Sequence, residues 1–158
     1  MAKRIKIVTP IDDAFTNALP YTVASGAAAT IDRGTPTKVA TNDVAVMVDG
    51  DGTTSQRFTG VAKTKSTDTA SAAGEVFCWL PLPGIVYAAS PKVANDANTA
   101  AKIKAKQHNR VVFDLASGDW TIDFAASDSA TNGLVIIGGQ PEQDLVYFVV
   151  SVTATVLE

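Results

Sequence analysis

Alternation of apolar and polar side chains constrains the fold of this chain more than any other feature, and it dominates the C-terminal half. Residues 110–115 (RVVFDL), 120–124 (WTIDF) and 145–157 (LVYFVVSVTATVL) each carry an apolar residue at about every second position. Successive side chains of a strand point to opposite faces of a sheet, so this period predicts half-buried β-strands. Turn-forming residues separate the strands at 116–119 (ASGD) and 140–144 (QPEQD). We therefore expect a β-meander from residue 110 onwards.

Further strands are expected ahead of and within this meander. Residues 43–48 (DVAVMV) and 57–63 (RFTGVAK) have strand composition, with a bulge indicated at Gly60. Prolines in the PLPG sequence force the run 75–90 to be an edge strand or to break. The continuously apolar run 133–139 (GLVIIGG) predicts a strand that is buried on both faces.

One helix is indicated, over residues 95–107 (NDANTAAKIKAKQ), with Asn95 or Asp96 as its N-cap. Its inner stripe is thin and consists of Ala100, Ile103 and Gln107. The fold class expected from these elements is mainly β, a sandwich or barrel of antiparallel strands with one short helix.

The first forty residues are weakly patterned. We interpret residues 1–40 as an extended N-terminal arm with loops, followed by a β-domain over residues 41–158. The arm begins with the basic residues Lys3, Arg4 and Lys6. We expect its first twelve residues to dock on a partner rather than to complete the core; alternatively, the IKIV sequence is an ordinary strand.

The composition favours some functional classes over others. The net charge is −3 and the isoelectric point is near 5.1, which argues against nucleic acid as a partner because phosphate binding needs concentrated Lys and Arg. No apolar run approaches the roughly 20 residues of a membrane helix. The single Cys78 lies in an apolar run and is expected to be a buried, inert thiol of a protein made in a reducing cytoplasm.

A short window, 108–124, collects residue types of acid–base chemistry: His108, Asp114, Asp119 and Asp123. No nucleophile motif and no second histidine accompany them. In a hairpin, Asp114, Asp123 and Thr121 would face solvent and Asp119 would belong to the turn. We therefore interpret the window as scaffold and expect a protein that is not an enzyme.

Other motifs also favour structural roles. The DGDGTTSQRF sequence resembles the start of a calcium loop but lacks the required glycine and distal glutamate, so it predicts a turn. Gly138 and Gly139 indicate a turn or tight packing rather than a dinucleotide site. We predict no catalytic, cofactor-binding or metal-binding residue, and no cofactor.

Two segments carry a family resemblance, residues 57–90 and 110–150. The short motifs that carry it are, in order along the chain, G-V-A, G-E-V, L-P-L-P-G-x-V-Y, V-V-F-D-L and N-G-L-V-I-I-G-G. They resemble the β-rich decoration (cement) proteins of tailed-bacteriophage capsids. The resemblance implies a structural protein of the virion, made in the host bacterial cytoplasm, that binds the outer capsid surface.

The partner that the resemblance implies is the major capsid protein, whose neighbouring subunits such proteins clamp at symmetry axes, often as homotrimers. Lys3, Arg4 and Lys6 are the residues we expect to contact the capsid. Two alternatives stay open: another virion component, such as a head-completion, tail-tube or fibre-base protein, and a small carbohydrate-binding or hydrolytic β-domain. The only tryptophans that could mark a sugar site, Trp79 and Trp120, lie in apolar patterns.

Overall fold

The structure is a computed structural model, and in the part of the chain that it describes, twelve short strands build a barrel, an open sheet and a hairpin. It describes residues 3, 5–8, 18–23, 30–40, 43–47, 50–53, 56, 58–67, 73–82, 85–116 and 118–151. The expected fold class, mainly β with one short helix, is confirmed. Within the described part of the chain, no helix is long and apolar enough to cross a membrane.

Five strands close into a small barrel. They are β2 (Ala18–Val23), β3 (Pro36–Ala40), β4 (Asp43–Val46), β5 (Phe58–Ala62) and β6 (Gly74–Trp79). Around the barrel the order is β2-β4-β3-β5-β6, and every pairing is antiparallel except that of β2 with β4. The expected domain boundary after residue 40 lies between β3 and β4, inside this barrel.

The other strands form a five-stranded antiparallel sheet and a hairpin. The sheet contains β1 (Lys6–Ile7), β7 (Tyr87–Ala89), β8 (Arg110–Val111), β11 (Leu134–Gln140) and β12 (Leu145–Val150). Its order is β1-β7-β12-β11-β8, so that β1 is an edge strand. The hairpin pairs β9 (Phe113–Ala116) with β10 (Asp119–Ile122), as the alternation predicts. The run 75–90 breaks between β6 and β7, also as predicted.

Strand β5 contains a bulge opposite β3, and at this bulge Gly60 lies close to the main chain of β6. Thr37 lies opposite Gly60 and the next residue, Lys38, lies opposite Phe58, which leaves one residue of β5 unpaired. Gly60 has a φ of 149°, and a Cβ there would collide with the main-chain carbonyl of Trp79. The bulge predicted at Gly60 is therefore confirmed, and only glycine fits there.

The helix α1 (Ala100–Lys106) is shorter than expected and begins at a different cap. Its N-cap is Thr99, whose hydroxyl accepts the N–H of Lys102, so neither Asn95 nor Asp96 caps it. The Asp144 carboxylate accepts the N–H groups of Asn95 and Ala97 at 2.7 and 2.9 Å. These bonds hold residues 95–97 in a loop, which delays the start of the helix.

The expected inner stripe of α1 is reduced to one residue. Ile103 is the buried side chain of the helix, and both Ala100 and Gln107 are exposed. Ile103 packs over Gly139 of β11, where an added Cβ would lie 2.8 Å from its Cδ1 atom. Of the two expected explanations for Gly139, tight packing is the one observed.

The prediction that residues 1–12 stay outside the core is wrong for the described residues 5–7. Two hydrophobic cores are present, one inside the barrel and a larger one, the main core, between the barrel, the hairpin and the sheet. Ile5 is only 3% exposed and belongs to the main core, and Ile7 packs against the same core. Lys6 and Ile7 pair with Ala88 and Tyr87 of β7. Burial of two isoleucines makes this pairing favourable despite the weak sequence pattern, so the strand interpretation of IKIV is correct.

Burial on both faces occurs in a different strand from the one predicted. In β11, Leu134 and Ile136 are buried and the other five residues are half-buried, so the strand is not buried on both faces. In β5, all five residues are buried. Phe58 and Val61 enter the main core, whereas Ala62 enters the barrel interior. Strand β5 is therefore shared by the two cores.

The hairpin also has two buried faces, which the alternation did not predict. Trp120 is buried in the core as expected. Asp114 and Thr121, expected in solvent, are each only 3% exposed. The segment 90–92 pairs with the edge of β10, where Ile122 donates to Ser90 O at 3.0 Å and accepts from the N–H of Lys92 at 2.8 Å. From this edge the Lys92 side chain reaches the Asp114 carboxylate, 2.6 Å away.

Candidate partner-binding cleft

A cleft opens where the edge strand β1 meets the barrel. It has a volume of about 550 Å³ and is lined by Ile5, Lys6, Ile7, Arg33, Gly34 and Trp79. This volume lies within the range of about 300–1,000 Å³ that is typical of ligand pockets. Among the predicted partner-binding residues, Lys6 lines the cleft. Lys3 is exposed but does not line the cleft, and Arg4 lies outside the described residues.

A tight turn places Arg33 at the mouth of the cleft. Thr35 donates its N–H to Asp32 O at 3.1 Å, and Gly34 has a φ of 82°. This geometry is that of a type II turn, whose third position favours glycine. Ile5 donates its N–H to Gly34 O at 3.1 Å, which ties β1 to the turn.

The barrel strand β6 supplies the aromatic wall of the cleft. Trp79 is half-buried at the end of β6, between Ala18 of β2 and Val61 of β5. The guanidinium carbon of Arg33 lies 5.7 Å from the centroid of the Trp79 ring, within the range of cation–π attraction. This attraction orients the guanidinium without neutralising its charge.

The cleft combines two cations with an apolar floor. Lys6 and Arg33 are both exposed, and neither forms an ion pair with any residue that the structure describes. Ile5, Ile7 and Trp79 provide the apolar surface. This arrangement suits a ligand that presents a carboxylate or other anion next to an apolar group.

The acid–base window does not contribute to this cleft, and three of its members, His108, Asp114 and Asp119, form hydrogen bonds or ion pairs within the fold. His108 follows α1 with a φ of 71° and donates its N–H to Ile136 O at 2.7 Å. Asp119 Oδ1 accepts the main-chain N–H of Lys3 at 2.7 Å. The buried Asp114 carboxylate pairs with Lys92 Nζ at 2.6 Å, and Thr121 donates its hydroxyl to Asp114 O at 3.1 Å.

The aspartate of the DGDG loop is likewise occupied. Asp51 is 1% exposed; its carboxylate accepts from Lys38 Nζ at 2.6 Å and from the side-chain amide of Gln56. Phe113 donates its N–H to Asp51 O at 2.7 Å, so the loop is a turn packed against the hairpin. In the described part of the chain, no group of three or more potential metal-binding side chains is present.

The only cysteine is buried, as expected, and it lies inside the barrel. Cys78 is fully buried. Burial raises the pKa of its thiol, and a 3.5 Å contact with the Thr37 hydroxyl offsets part of that rise. A thiol with a raised pKa contains little thiolate at neutral pH and is a poor nucleophile.

Sequence patterns pointed to only part of the cleft. Lys6 stands out as a member of the basic N-terminal group, and the order Asp-Arg-Gly-Thr at 32–35 is a turn signature that exposes Arg33. No pattern indicates that Arg33 meets Trp79, 46 positions later in the sequence. Searches against protein-family models, curated proteins and solved structures found no match to this chain.

Proposed function

We propose that this protein is a structural component of a bacteriophage virion that binds the outer surface of the capsid and stabilises contacts between major capsid subunits. The resemblance of residues 57–90 and 110–150 to capsid decoration proteins carries this proposal. These segments supply β5 to β7 and β8 to β12. The resemblance therefore covers strands of the barrel, the hairpin and the sheet, rather than isolated surface loops.

The cleft supports a role in binding protein. An exposed arginine beside a half-buried tryptophan is a combination that protein interfaces favour, because Trp and Arg contribute contact area and directed hydrogen bonds. A cleft of about 550 Å³ accommodates only a few side chains of a partner. One such contact is weak, so capsid attachment needs several copies acting together.

A homotrimer provides that multiplicity. Three clefts on one oligomer would engage neighbouring capsid subunits at once, and the second and third contacts form at a high effective concentration. Weak individual contacts then give persistent attachment. We propose this arrangement on the capsid exterior, after synthesis in the host bacterial cytoplasm.

The test uses capsids assembled from the major capsid protein encoded in the same genome. Purified protein is mixed with bare capsids and sedimented, bound copies are counted by mass spectrometry, and particles are imaged with and without it. Hundreds of copies on the outer surface support the proposal. A few copies at one vertex indicate a head-completion or tail component, and absence from the particles overturns a virion role.

One observation favours the carbohydrate-binding alternative: the side chain of Trp79 lines an open cleft. Sugars usually stack on a free aromatic face, however, and the guanidinium of Arg33 lies over this ring. The site therefore suits an anionic group better than a neutral sugar. Binding of neutral glycans on an array, lost in Trp79→Phe, would favour the alternative; binding to capsids but not to glycans would exclude it.

A further inference from the structure

The edge strand β1 directs main-chain groups away from β7, towards the cleft. Val8 donates its N–H to Val86 O at 2.8 Å, and Lys6 and Ile7 lie opposite Ala88 and Tyr87. In an antiparallel ladder, hydrogen-bonded pairs alternate with non-bonded ones. The N–H and C=O of Ile7 therefore point away from β7, on the side where Ile5 donates to Gly34 O.

Among the residues that the structure describes, none is hydrogen-bonded to Ile7 on this outer side of β1. The turn at Gly34 is bonded to Ile5, directly before β1, and the cleft is lined by Ile5, Lys6 and Ile7 on this side. An open strand edge is a template for pairing with another extended chain. Such a chain would lie between β1 and the Arg33–Trp79 pair.

The charges around this edge select the type of chain. Lys6 and Arg33 line the cleft as exposed cations, and Ile7 and Trp79 offer apolar contact next to them. Acidic side chains of an incoming strand would meet the cations, and its alternate apolar side chains would pack on Ile7 and Trp79. A neutral or basic strand would leave both cations without partners.

We infer that this cleft binds an extended acidic segment of a capsid subunit, in which acidic and apolar residues alternate, by adding it as a strand to the free edge of β1 at Ile7. The inference rests on the proposed function for the identity of the partner. Its chemistry is independent of that identity and can be tested without capsids.

The first experiment titrates the full-length protein with an acetylated, amidated hexapeptide of alternating Glu and Val, monitored by tryptophan fluorescence. Trp120 is buried, so a change lost in Trp79→Phe reports on the cleft. We expect binding at 50 mM salt that weakens at 1 M, where the Debye length falls to about 3 Å. A Gln–Val hexapeptide that binds equally well overturns the inference.

The strand geometry is tested with two N-methylated versions of the hexapeptide, methylated at alternate residues. Only one of the two sets of N–H groups can face β1. We expect one methylated peptide to bind like the parent and the other to lose binding. Equal affinities of the two peptides overturn strand addition. Tighter binding of a single-stranded DNA oligonucleotide than of the Glu–Val peptide overturns the assignment to an acidic protein segment.

The third experiment links the cleft to capsids. Arg33→Gln and Lys6→Gln should each weaken peptide binding by about fivefold, the effect of losing one exposed ion pair worth about 1 kcal/mol. Capsid co-sedimentation should fall more, because each oligomer carries several clefts. Lys104→Gln is the matched control, since Lys104 is an exposed cation on α1; it should bind like the wild type.

The two proposals fail in different ways. If the wild type binds capsids and both cleft variants bind them equally well, the cleft inference is wrong and the proposed function stands. If the wild type does not bind capsids but binds the acidic peptide through the cleft, the proposed function is wrong and the chemistry of the site stands. Thermal melts of each variant confirm that it is folded.

Discussion

The two cores of the molecule are built from side chains of very different size. Among the described residues, the buried hydrophobic side chains of the barrel interior are no larger than isoleucine: Val23, Ile31, Val44, Ala62, Val76 and Cys78. The core between the barrel, the hairpin and the sheet contains five packed rings, with neighbouring centroids 5.6–6.1 Å apart: Phe58, Tyr87, Phe113, Trp120 and Phe148. This second core is the main core described above, and we call its five rings the aromatic core.

This difference follows from the geometry of the two spaces. A closed barrel of five short strands leaves a narrow interior that small side chains fill. The space between three separate β-elements is wider and needs rings to fill it. The barrel should therefore be sensitive to added volume and the aromatic core to removed volume. The following predictions test that contrast, from the largest expected effect to the smallest.

Removal of one ring from the aromatic core should have the largest effect. Trp120 is 2% exposed and meets Phe113 edge-to-face at 6.1 Å. We expect Trp120→Ala to lower the free energy of unfolding by about 3–5 kcal/mol, since the truncation leaves a cavity. Urea denaturation followed by circular dichroism measures the change. A loss below about 1 kcal/mol would contradict the proposed sensitivity of this core to lost volume.

Addition of one methyl group to the barrel should be nearly as harmful. Gly60→Ala places a Cβ against the Trp79 carbonyl in a backbone conformation that L-residues rarely adopt. We expect a loss of about 3 kcal/mol from strain and overpacking. Gly118→Ala is the control, because Gly118 also has a positive φ but no atom within 4 Å of its added Cβ. Equal losses in the two variants would show that backbone strain, not crowding, dominates.

Neutralisation of the buried carboxylate beneath the hairpin should cost less. Asp114→Asn breaks the pair with Lys92 and leaves a buried polar group with fewer partners. We expect a loss of about 2 kcal/mol, moderated because Lys92 is half-exposed and can return to solvent. The half-buried Asp123 serves as the control, and Asp123→Asn should change stability by under about 0.5 kcal/mol. A similarly small effect of Asp114→Asn would restore the solvent-facing interpretation of Asp114.

Alkaline pH should lower the free energy of unfolding, and the first group to contribute should be the Cys78 thiol in the barrel. Burial raises the pKa of Cys78 in the folded state above its ordinary value of 9.0, so the thiol of the unfolded chain ionises at lower pH. Stability is therefore fully present below pH 9 and is lost as the pH rises towards the folded-state pKa, by at most about 1.4 kcal/mol per pH unit.

Cys78→Ala separates this effect from that of the tyrosines. Burial also raises the pKa of Tyr87 in the aromatic core and of Tyr21 in the barrel strand β2, and both have an ordinary value of 10.0. We expect the variant to show a flat unfolding free energy between pH 8 and 9.5 and a decline only above pH 10. A wild-type curve that is equally flat up to pH 10 would contradict the barrel-first order.

The smallest expected effect is a gain in stability outside both cores. His108 ends α1 in a left-handed conformation with a φ of 71°, which glycine adopts without strain. We expect His108→Gly to raise the free energy of unfolding by about 0.5–1 kcal/mol. Chemical denaturation followed by circular dichroism measures it. A loss of stability would show that the imidazole side chain contributes more than the backbone strain costs.

Local patterns in the sequence determined the types and approximate positions of most elements. Period-two alternation identifies β9, β10 and β12, because a strand with one buried face must alternate. The glycine at position 60 indicates its bulge, and the PLPG sequence marks the break between β6 and β7. Each of these signals depends on neighbouring residues alone.

Tertiary structure decided everything that depends on a distant segment. The alternation could not show that residues 90–92 pair with the edge of β10 and that Lys92 reaches Asp114, and so it predicted an exposed Asp114, which is buried. Asp144 similarly delays the start of α1 from 47 residues away, and Ile5 is buried only because β7 pairs with β1. The cleft itself brings together residues from three separate parts of the chain. Periodicity reports which side chains favour burial, whereas the identity of the covering segment depends on long-range pairing that no local pattern encodes.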